Sequence, residues 1–168
     1  SLLLAKREMQ AIVGNEQYAT LSGAGAYIDR DFDSKRQLLK MFAENVPAAA
    51  LDDPARVQGL IELHTTLREE FSSVVAFDPD GKVIASLGVR KQGGPVNVKE
   101  RDYFRDTVKY KEGVVSAPFK SMLSGKPVVV VTQPVTDQAG RLKFIIGGSI
   151  DLTSPRIYGQ LNALKPGK

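Results

Sequence analysis

The side chains that most often carry out chemistry are scarce in this chain of 168 residues. It contains no Cys and a single His, His64. A thiolate nucleophile and a Cys-ligated metal are therefore excluded, and a site with several His ligands cannot form. His64 lies among apolar residues of a helical segment, where packing explains it better than catalysis does. We expect no catalytic residue and no resident cofactor.

Two carboxylates in a short segment are the nearest approach to a cation site. Asp78 and Asp80 lie in the sequence Asp78-Pro79-Asp80-Gly81. A calcium loop needs six or more oxygen ligands and ends in a bidentate Glu, and this segment supplies neither. Pro followed by Asp-Gly between two β-prone runs is instead typical of a hairpin turn. We therefore predict a turn here and no metal site.

Basic residues are concentrated in the second part of the chain. Residues 1–70 carry 8 Lys and Arg against 11 Asp and Glu, whereas residues 71–168 carry 15 against 8. The second part should therefore bind an anion more readily than a cation. Its charges are dispersed, and no Gly-rich phosphate loop precedes Arg101 and Arg105. We therefore expect neither a nucleic acid nor a nucleotide as the partner.

The spacing of apolar residues predicts an α+β protein. It is helical over residues 2–47 and again over residues 53–70, where Asp53 followed by Pro54 is a typical helix start. From Phe71 onward the pattern is mainly that of strands, with further helices at residues 98–109 and 154–164. The predicted strands are residues 73–77, 82–86, 114–119, 128–135 and 142–150.

Short turns between successive strands imply that they pair antiparallel. The simplest architecture is a long N-terminal helix packed on a five-stranded antiparallel sheet. A membrane-spanning helix needs about 20 consecutive apolar residues, and the longest uncharged stretches, 17–28 and 127–136, are shorter than that. Since the chain opens at Ser1 without an initiator Met, we interpret it as a segment of a longer protein.

Four motifs in the second part occur in a characteristic order. They are Glu100-Arg101-Asp102-Tyr103-Phe104, Gly113-Val114-Val115-Ser116-Ala117-Pro118-Phe119, Ser124-Gly125-Lys126-Pro127 before a Val-rich strand, and Gly147-Gly148-Ser149-Ile150-Asp151-Leu152. Together with the hairpin around Asp80 and the long first helix, they resemble the Cache family. These are PAS-like extracytoplasmic sensor domains of bacterial transmembrane receptors. The resemblance covers nearly the whole chain.

The resemblance implies an organisation for the chain. Residues 1–70 would form the long N-terminal helix and a second helix, residues 71–152 the PAS-like sensor domain, and residues 153–168 a C-terminal helix or linker toward a second module or membrane span. Both a single-Cache domain and the membrane-distal half of a double-Cache domain remain open.

The same resemblance implies a setting for the chain. The parent protein would be anchored in the inner membrane with this part in the periplasm. It would carry a diguanylate cyclase, histidine kinase or chemoreceptor output. A homodimer through the N-terminal helix is implied as well.

The resemblance also implies site residues. In members that sense amino acids, an Arg-x-Trp-Tyr motif holds the ligand carboxylate, and Arg101, Tyr103 and Phe104 occupy those positions here. Arg101 keeps the planar, bidentate donor that suits a carboxylate. Tyr103 and Phe104 are adjacent on a helix and cannot face the same way, so we expect Tyr103 at the pocket. The Asp that would hold an amino group, near Ser121, is missing, which favours a small carboxylate without an ammonium group.

Five further residues are candidate ligand contacts, each with a second interpretation. The hydroxyls of Ser116 and Thr132 either face the pocket or bond to backbone groups. Lys126 is a second anion contact or a solvated loop residue, and Asp151 matches a family acid whose side chain can face away from the pocket. Tyr110 either closes the site or anchors a loop.

The function implied is that of a non-enzymatic sensor. A small anionic or polar metabolite would lie between the sheet and the helix around residues 100–109. One alternative is a ligand-free dimerisation or interaction module. Another is a cytoplasmic PAS domain with haem or flavin, although Cys is absent and His64 lies outside the PAS-like part.

Overall fold

A computed structural model of the protein describes residues 25–88, 96–122 and 124–154. The helices are α1 (Gly25–Glu44), α2 (Pro54–Leu63), α3 (Thr65–Glu70) and α4 (Asp102–Tyr110), with a 3₁₀ turn at Ala48–Ala50. The strands are β1 (Ser73–Phe77), β2 (Val83–Leu87), β3 (Phe119–Lys120), β4 (Pro127–Thr136) and β5 (Leu142–Asp151). The predicted α+β class is confirmed.

The five strands form one antiparallel sheet in the order β2-β1-β5-β4-β3. The sheet is the middle layer of the protein, because alternate residues of β4 contribute to two different cores. Val131 and Val135 pack with α1, α2 and α3 on one face. Val128 and Val130 pack with α4 on the other face. Any cavity under α4 is therefore separated from α1 by the sheet.

The face beneath α1 is packed with large apolar side chains. Leu39 and Phe42 of α1 join Ile61 of α2 in this core. The ring of Phe71 fits against Gly148, where an added Cβ would lie 2.4 Å from a ring carbon. The glycine therefore makes room for the ring at this point of the core.

Helix α1 runs beside β4 in the same direction. Lys35 is buried on α1, and its Nζ lies 3.0 Å from carboxylate oxygens of both Asp31 and Glu70. Glu70 lies three residues before Ser73, the first residue of β1, which pairs with Ser149 near the end of β5. Further along α1, Glu44 lies beside the last residues of β4. The start of α1 and the end of β5 therefore lie at the same end of the sheet.

The prediction of a single helix over residues 53–70 is wrong in one respect, because the structure divides this stretch into α2 and α3. His64 adopts φ −88° and ψ 89°, which interrupts the helix. Its ring packs edge-on against Phe42, with the ring centroids 5.8 Å apart. The predicted start is confirmed, because the Asp53 side chain accepts a hydrogen bond from Arg56 N at 3.3 Å.

Helix α4 starts later than the predicted residue 98. Val98 is buried, and its N donates to Gly81 O at 2.9 Å. This bond ties the segment before α4 to the hairpin between β1 and β2. The hairpin turn itself is confirmed, with Gly81 at φ 84° and Asp78 Oδ1 accepting from Asp80 N and Lys82 N.

The strand predicted over residues 114–119 is reduced to Phe119–Lys120 and an isolated bridge between Val115 and Val131. Pro118 has no N–H to donate, which interrupts the ladder. At Ser116 the side-chain hydroxyl takes the place of a backbone carbonyl, because it accepts from Val130 N at 2.9 Å. Residues 113–120 therefore follow β4 as an irregular edge rather than a regular strand.

Some predicted elements lie outside the described residues. These are the first part of the N-terminal helix, residues 2–24, and nearly all of the C-terminal helix predicted over residues 154–164. Among the helices that the structure describes, none is long and apolar enough to span a membrane.

Candidate functional site

A small cavity lies between α4 and the sheet. Its volume is about 20 Å³, which is room for about one water molecule. Among the described residues, the cavity lining carries one charged side chain, Arg101, and no carboxylate. The lining residues are Val75, Phe77, Val96, Val98, Arg101, Tyr103, Phe119, Ser121, Met122, Val130, Gly147 and Ser149.

Arg101 lies directly before α4 and is half-buried. Its guanidinium carbon is 5.2 Å from the centroid of the Phe119 ring, a distance typical of a cation–π contact. Within the described part of the chain, no carboxylate lies within 4 Å of this guanidinium. The neighbouring Glu100 is 4.0 Å from Arg105 instead. Arg101 thus has donors available for an anion.

Tyr103 is 8% exposed, and its ring stacks on Phe119 with centroids 5.4 Å apart. Burial raises the pKa of Tyr103 to about 12, although the nearby positive charge of Arg101 acts to lower it. The hydroxyl is therefore protonated at neutral pH. It donates to no atom of the described residues, so within this part of the chain a buried donor at the cavity has no protein acceptor.

The adjacent aromatic residue faces another way. Phe104 is 2% exposed and packs edge-on against Phe77, with centroids 6.3 Å apart. It is absent from the cavity lining. The structure thus places Tyr103 at the cavity and Phe104 in the core behind it.

Ser116 and Thr132 lie near the cavity without lining it. The Ser116 hydroxyl accepts from Val130 N at 2.9 Å. The Thr132 hydroxyl is 2.6 Å from that of Thr107 and accepts from Val114 N at 2.9 Å. Both hydroxyls are engaged by the protein itself, which is the second of the two interpretations that the sequence allows.

Tyr110, Lys126 and Asp151 lie outside the cavity as well. Tyr110 is 60% exposed, with Lys109 Nζ 5.1 Å from its ring centroid. Lys126 and Asp151 pair with each other at 3.6 Å. Asp151 also accepts from Thr153 N at 2.8 Å, so its carboxylate closes the turn after β5.

Several lining residues were not singled out from the sequence. Gly147 and Ser149 of β5 lie in the cavity floor, opposite Thr132 and Val130 of β4. A Cβ on Gly147 would lie 3.4 Å from side-chain atoms of Phe77 and Val130. The absence of a side chain at Gly147 therefore leaves space in the cavity floor at this point. The signal that could have found them is the two-residue alternation of a strand, once the face toward α4 is known.

The described residues contain no group of three or more His, Asp or Glu side chains arranged to hold a metal ion. The chemistry that the cavity lining offers is hydrogen bonding and charge. Arg101 and Tyr103 offer donors to an anionic or oxygen-rich group, and the aromatic and aliphatic walls exclude water around it.

Comparison with known proteins gives relatives of one kind. No family model matches the sequence. A probable methyl-accepting chemotaxis protein of Bacillus thuringiensis is 27% identical over 118 residues, which are 68% of this chain and 18% of that protein. The chain thus spans about a fifth of the length of this curated relative.

Solved structures with the same fold are ligand-binding domains of chemoreceptors. The Pseudomonas aeruginosa receptor PctC in complex with GABA gives a TM-score of 0.69 at 19% identity, over 82% of this chain and 64% of that one. The Campylobacter jejuni receptor Tlp3 in complex with 4-methylisoleucine gives a TM-score of 0.68 at 14% identity, over 98% and 65%.

The ligand-binding domain of Mlp24 with asparagine gives a TM-score of 0.66 at 17% identity, over 96% of this chain and 65% of that one. The chain is therefore shorter than each of these domains. This chain has the fold of the Cache-type ligand-binding domains of chemoreceptors.

Proposed function

We propose that this chain is the ligand-sensing domain of a membrane-bound signalling receptor and that its ligand is a small carboxylate. It would act by binding and not as an enzyme. The observation that carries the proposal is that two donors line the same cavity: Arg101, which contacts no carboxylate of the described residues, and the Tyr103 hydroxyl, which has no acceptor among those residues. A carboxylate accepts hydrogen bonds from both kinds of donor.

The composition of the cavity lining supports a ligand without an ammonium group. The ligands named for the solved relatives, asparagine, GABA and 4-methylisoleucine, each carry both a carboxylate and an amino group. The described lining of this cavity contains no Asp or Glu that would pair with an ammonium. A buried ammonium without such a partner is costly.

The size of the cavity requires that it opens to admit a ligand. A volume of about 20 Å³ holds about one water, whereas a carboxylate is larger. Met122 lines the cavity and is 49% exposed. Its flexible, unbranched side chain can turn outward with little cost. We propose that Met122 moves when the carboxylate enters and that Arg101 turns toward it.

The setting of the domain follows from the same proposal. Residues 71–152 would be the sensor, residues 1–70 the helices that precede it, and residues 153–168 the connection to a second module or a membrane span. The domain would lie in the periplasm as part of an inner-membrane receptor. The likeness to a probable methyl-accepting chemotaxis protein favours a chemoreceptor output over a diguanylate cyclase or a histidine kinase.

A homodimer through the N-terminal helix belongs to this proposal as well. Helix α1 exposes Met41, whose side chain is 60% accessible. Sedimentation equilibrium of the chain and of Met41→Lys tests the dimer. A monomer for both proteins would contradict it.

The ligand class can be tested by thermal unfolding of the chain in the presence of formate, acetate, pyruvate or succinate, with GABA for comparison. A carboxylate at ten times its dissociation constant should raise Tm by about 3–5 °C. Arg101→Ala should abolish this shift, because the charged donor is gone. A Tm that none of the four carboxylates changes would contradict the proposal.

Arg105→Ala is the matched control. It removes the same charge four residues further along the chain, but Arg105 is 62% exposed and lies outside the cavity. The carboxylate shift should persist in this variant. If Arg105→Ala abolishes the shift as completely as Arg101→Ala does, the effect is one of net charge and the site is not at the cavity.

The small volume of the cavity favours a second function, that of a ligand-free interaction module. In that case Met122→Ala, which shortens a side chain of the cavity lining, would leave the Tm unchanged with every carboxylate. Under the sensor proposal, the same variant should bind the larger members of the panel at least as well as the wild type does.

A further inference from the structure

The buried hydroxyl groups of Thr107 and Thr132, called the hydroxyl chain below, join α4 to β4 behind the cavity. Thr107 on α4 and Thr132 on β4 are 0% and 1% exposed. Their Oγ1 atoms are 2.6 Å apart, and Thr107 Oγ1 is also 2.6 Å from the carbonyl O of Tyr103. On the other side, Val114 N donates to Thr132 Oγ1 at 2.9 Å. The backbone of Tyr103, a cavity residue, is thus linked to Val114, which lies along the edge of β4.

Each hydroxyl supplies one proton, which determines the direction of the chain. Thr107 donates to the carbonyl of Tyr103, so Thr132 donates to Thr107 and accepts from Val114. The other acceptor near Thr132, the carbonyl O of Val114, is more distant at 3.3 Å. The hydrogen bonds therefore run from Val114 through Thr132 and Thr107 to Tyr103, and each bond polarises the next.

Residues 113–116, the connecting segment, also contact α1. Arg36 Nη2 donates to the carbonyl O of Gly113 at 3.3 Å. Gly113 lies so close to β4 that a Cβ would be 2.6 Å from the carbonyl O of Thr132. Thr132 N donates to Val114 O at 2.8 Å, so the segment is fastened along β4. It contacts α1 through Gly113 and the hydroxyl chain through the adjacent Val114.

We infer that the hydroxyl chain and the connecting segment couple the backbone of Tyr103 to α1 around the edge of the sheet. A shift of Tyr103 and α4 that separates Thr107 from Thr132 would break a buried hydrogen bond, which is unfavourable unless Thr132 and the connecting segment follow. Thr107 and Thr132 are then positioning residues. As a means of regulation the coupling rests on the proposed function, but the coupling itself exists without ligand.

The coupling can be measured in the ligand-free chain by amide hydrogen exchange. Thr107→Val keeps the shape of the side chain and removes the hydroxyl. We expect exchange to become at least threefold faster in α4, in the connecting segment and in α1, relative to β1. Faster exchange in α4 alone, or an equal increase in β1, would overturn the inference.

Two variants control for the substitution itself. Thr66→Val places the same change on an exposed position of α3, and it should leave α1 and α4 unchanged. Thr107→Ser restores the hydroxyl without the methyl group, so it should return the exchange in α1 to within twofold of the wild type. Failure of Thr107→Ser to restore α1 would assign the effect to packing instead.

Thermodynamic coupling is reciprocal, which gives a second test at the surface. Arg36→Ala removes the contact with Gly113 at an exposed side chain, where the fold should tolerate it. We expect exchange in α4 to become at least twofold faster, whereas Lys40→Ala on the same helix should have no such effect. Unchanged exchange in α4 of Arg36→Ala would overturn the inference.

The two proposals fail separately. Loss of the carboxylate effect on Tm would remove the sensor function and leave the hydrogen-exchange result unaffected. Exchange effects confined to α4 would remove the coupling and leave the carboxylate site at Arg101 intact.

Discussion

At the scale of single residues, the cavity depends on how Arg101 and Tyr103 are placed around Phe119. The guanidinium lies over the Phe119 ring, and Tyr103 stacks on the same ring. Phe119 therefore holds the two polar groups near each other by contact with their flat surfaces. Substitution of Phe119 would alter both groups together.

Because the hydroxyl of Tyr103 is buried, we expect the free energy of unfolding to change with pH in the alkaline range. Its pKa is raised from 10.0 to about 12 in the folded chain, chiefly by burial. Between these pH values the unfolded chain loses the phenolic proton while the folded chain keeps it, so the free energy of unfolding falls as pH rises. The loss across this interval should be about 2–3 kcal/mol.

Tyr103→Phe is the comparison for this prediction, since it keeps the ring and removes the titrating group. Urea unfolding at several pH values between 9 and 12 should show a shallower decline for Tyr103→Phe than for the wild type. Parallel declines in the two proteins would show that Tyr103 does not titrate differently in the folded and unfolded states.

The sequence predicts some of these residues and cannot predict others. Arg101 and Tyr103 occupy motif positions, and both line the cavity. The hydroxyls of Ser116 and Thr132 could form hydrogen bonds equally well with a ligand or with the backbone. Which of the two they bind depends on their neighbours in space, which the sequence does not give. Phe119 lies in an irregular edge, where the alternation of a regular strand gives no guide to its direction.

At the scale of the elements, the open edge of the sheet at β2 is closed by a side chain. The amide of Gln58 on α2 accepts from Ser86 N and donates to Ser86 O, each at 2.8 Å. A side-chain amide thus occupies the position that a further strand would take. Free backbone groups at such an edge promote association between sheets.

Removal of this amide should destabilise the chain. Gln58→Ala leaves the N–H and C=O of Ser86 without their protein partners, and we expect a loss of about 1–2 kcal/mol in the free energy of unfolding. Size-exclusion chromatography should also detect self-association at the exposed edge. Glu62→Ala removes the other partner of Gln58 and should be nearly neutral. An equal loss in both variants would contradict the role assigned to Gln58.

The elements themselves were predictable to different degrees. The hairpin turn and the strands around it follow from Asp-Gly and the β-branched residues on either side, and β4 extends only one residue beyond the prediction at each end. The break at His64 was not predictable, since it depends on packing against Phe42. The late start of α4 depends on the distant contact between Val98 and Gly81.

At the scale of the whole molecule, the sensor proposal predicts that α1 shifts relative to the sheet when the cavity fills. The chain contains no Cys, so labels can be placed singly. Spin labels at Asp33→Cys and Thr136→Cys, both exposed positions, would report displacement along the helix. We expect acetate to change their distance by about 1–2 Å, which is typical of helix shifts.

The same labels in the Arg101→Ala background should show no change with acetate. An unchanged distance in the labelled wild type, while acetate still raises its Tm, would mean that the ligand binds without moving α1. Binding and signalling would then use separate parts of the domain.

The common location of the start of α1 and the end of β5 has a mechanical consequence. A polypeptide that enters through α1 and leaves after Asp151 returns to the side from which it came. The two ends of the domain, the start of α1 and the end of β5, therefore lie close to the same side. A force applied between these two attachment points acts directly on α1 and β5. A small sliding of α1 would alter the relative height of the two attachment points while the sheet stays in place.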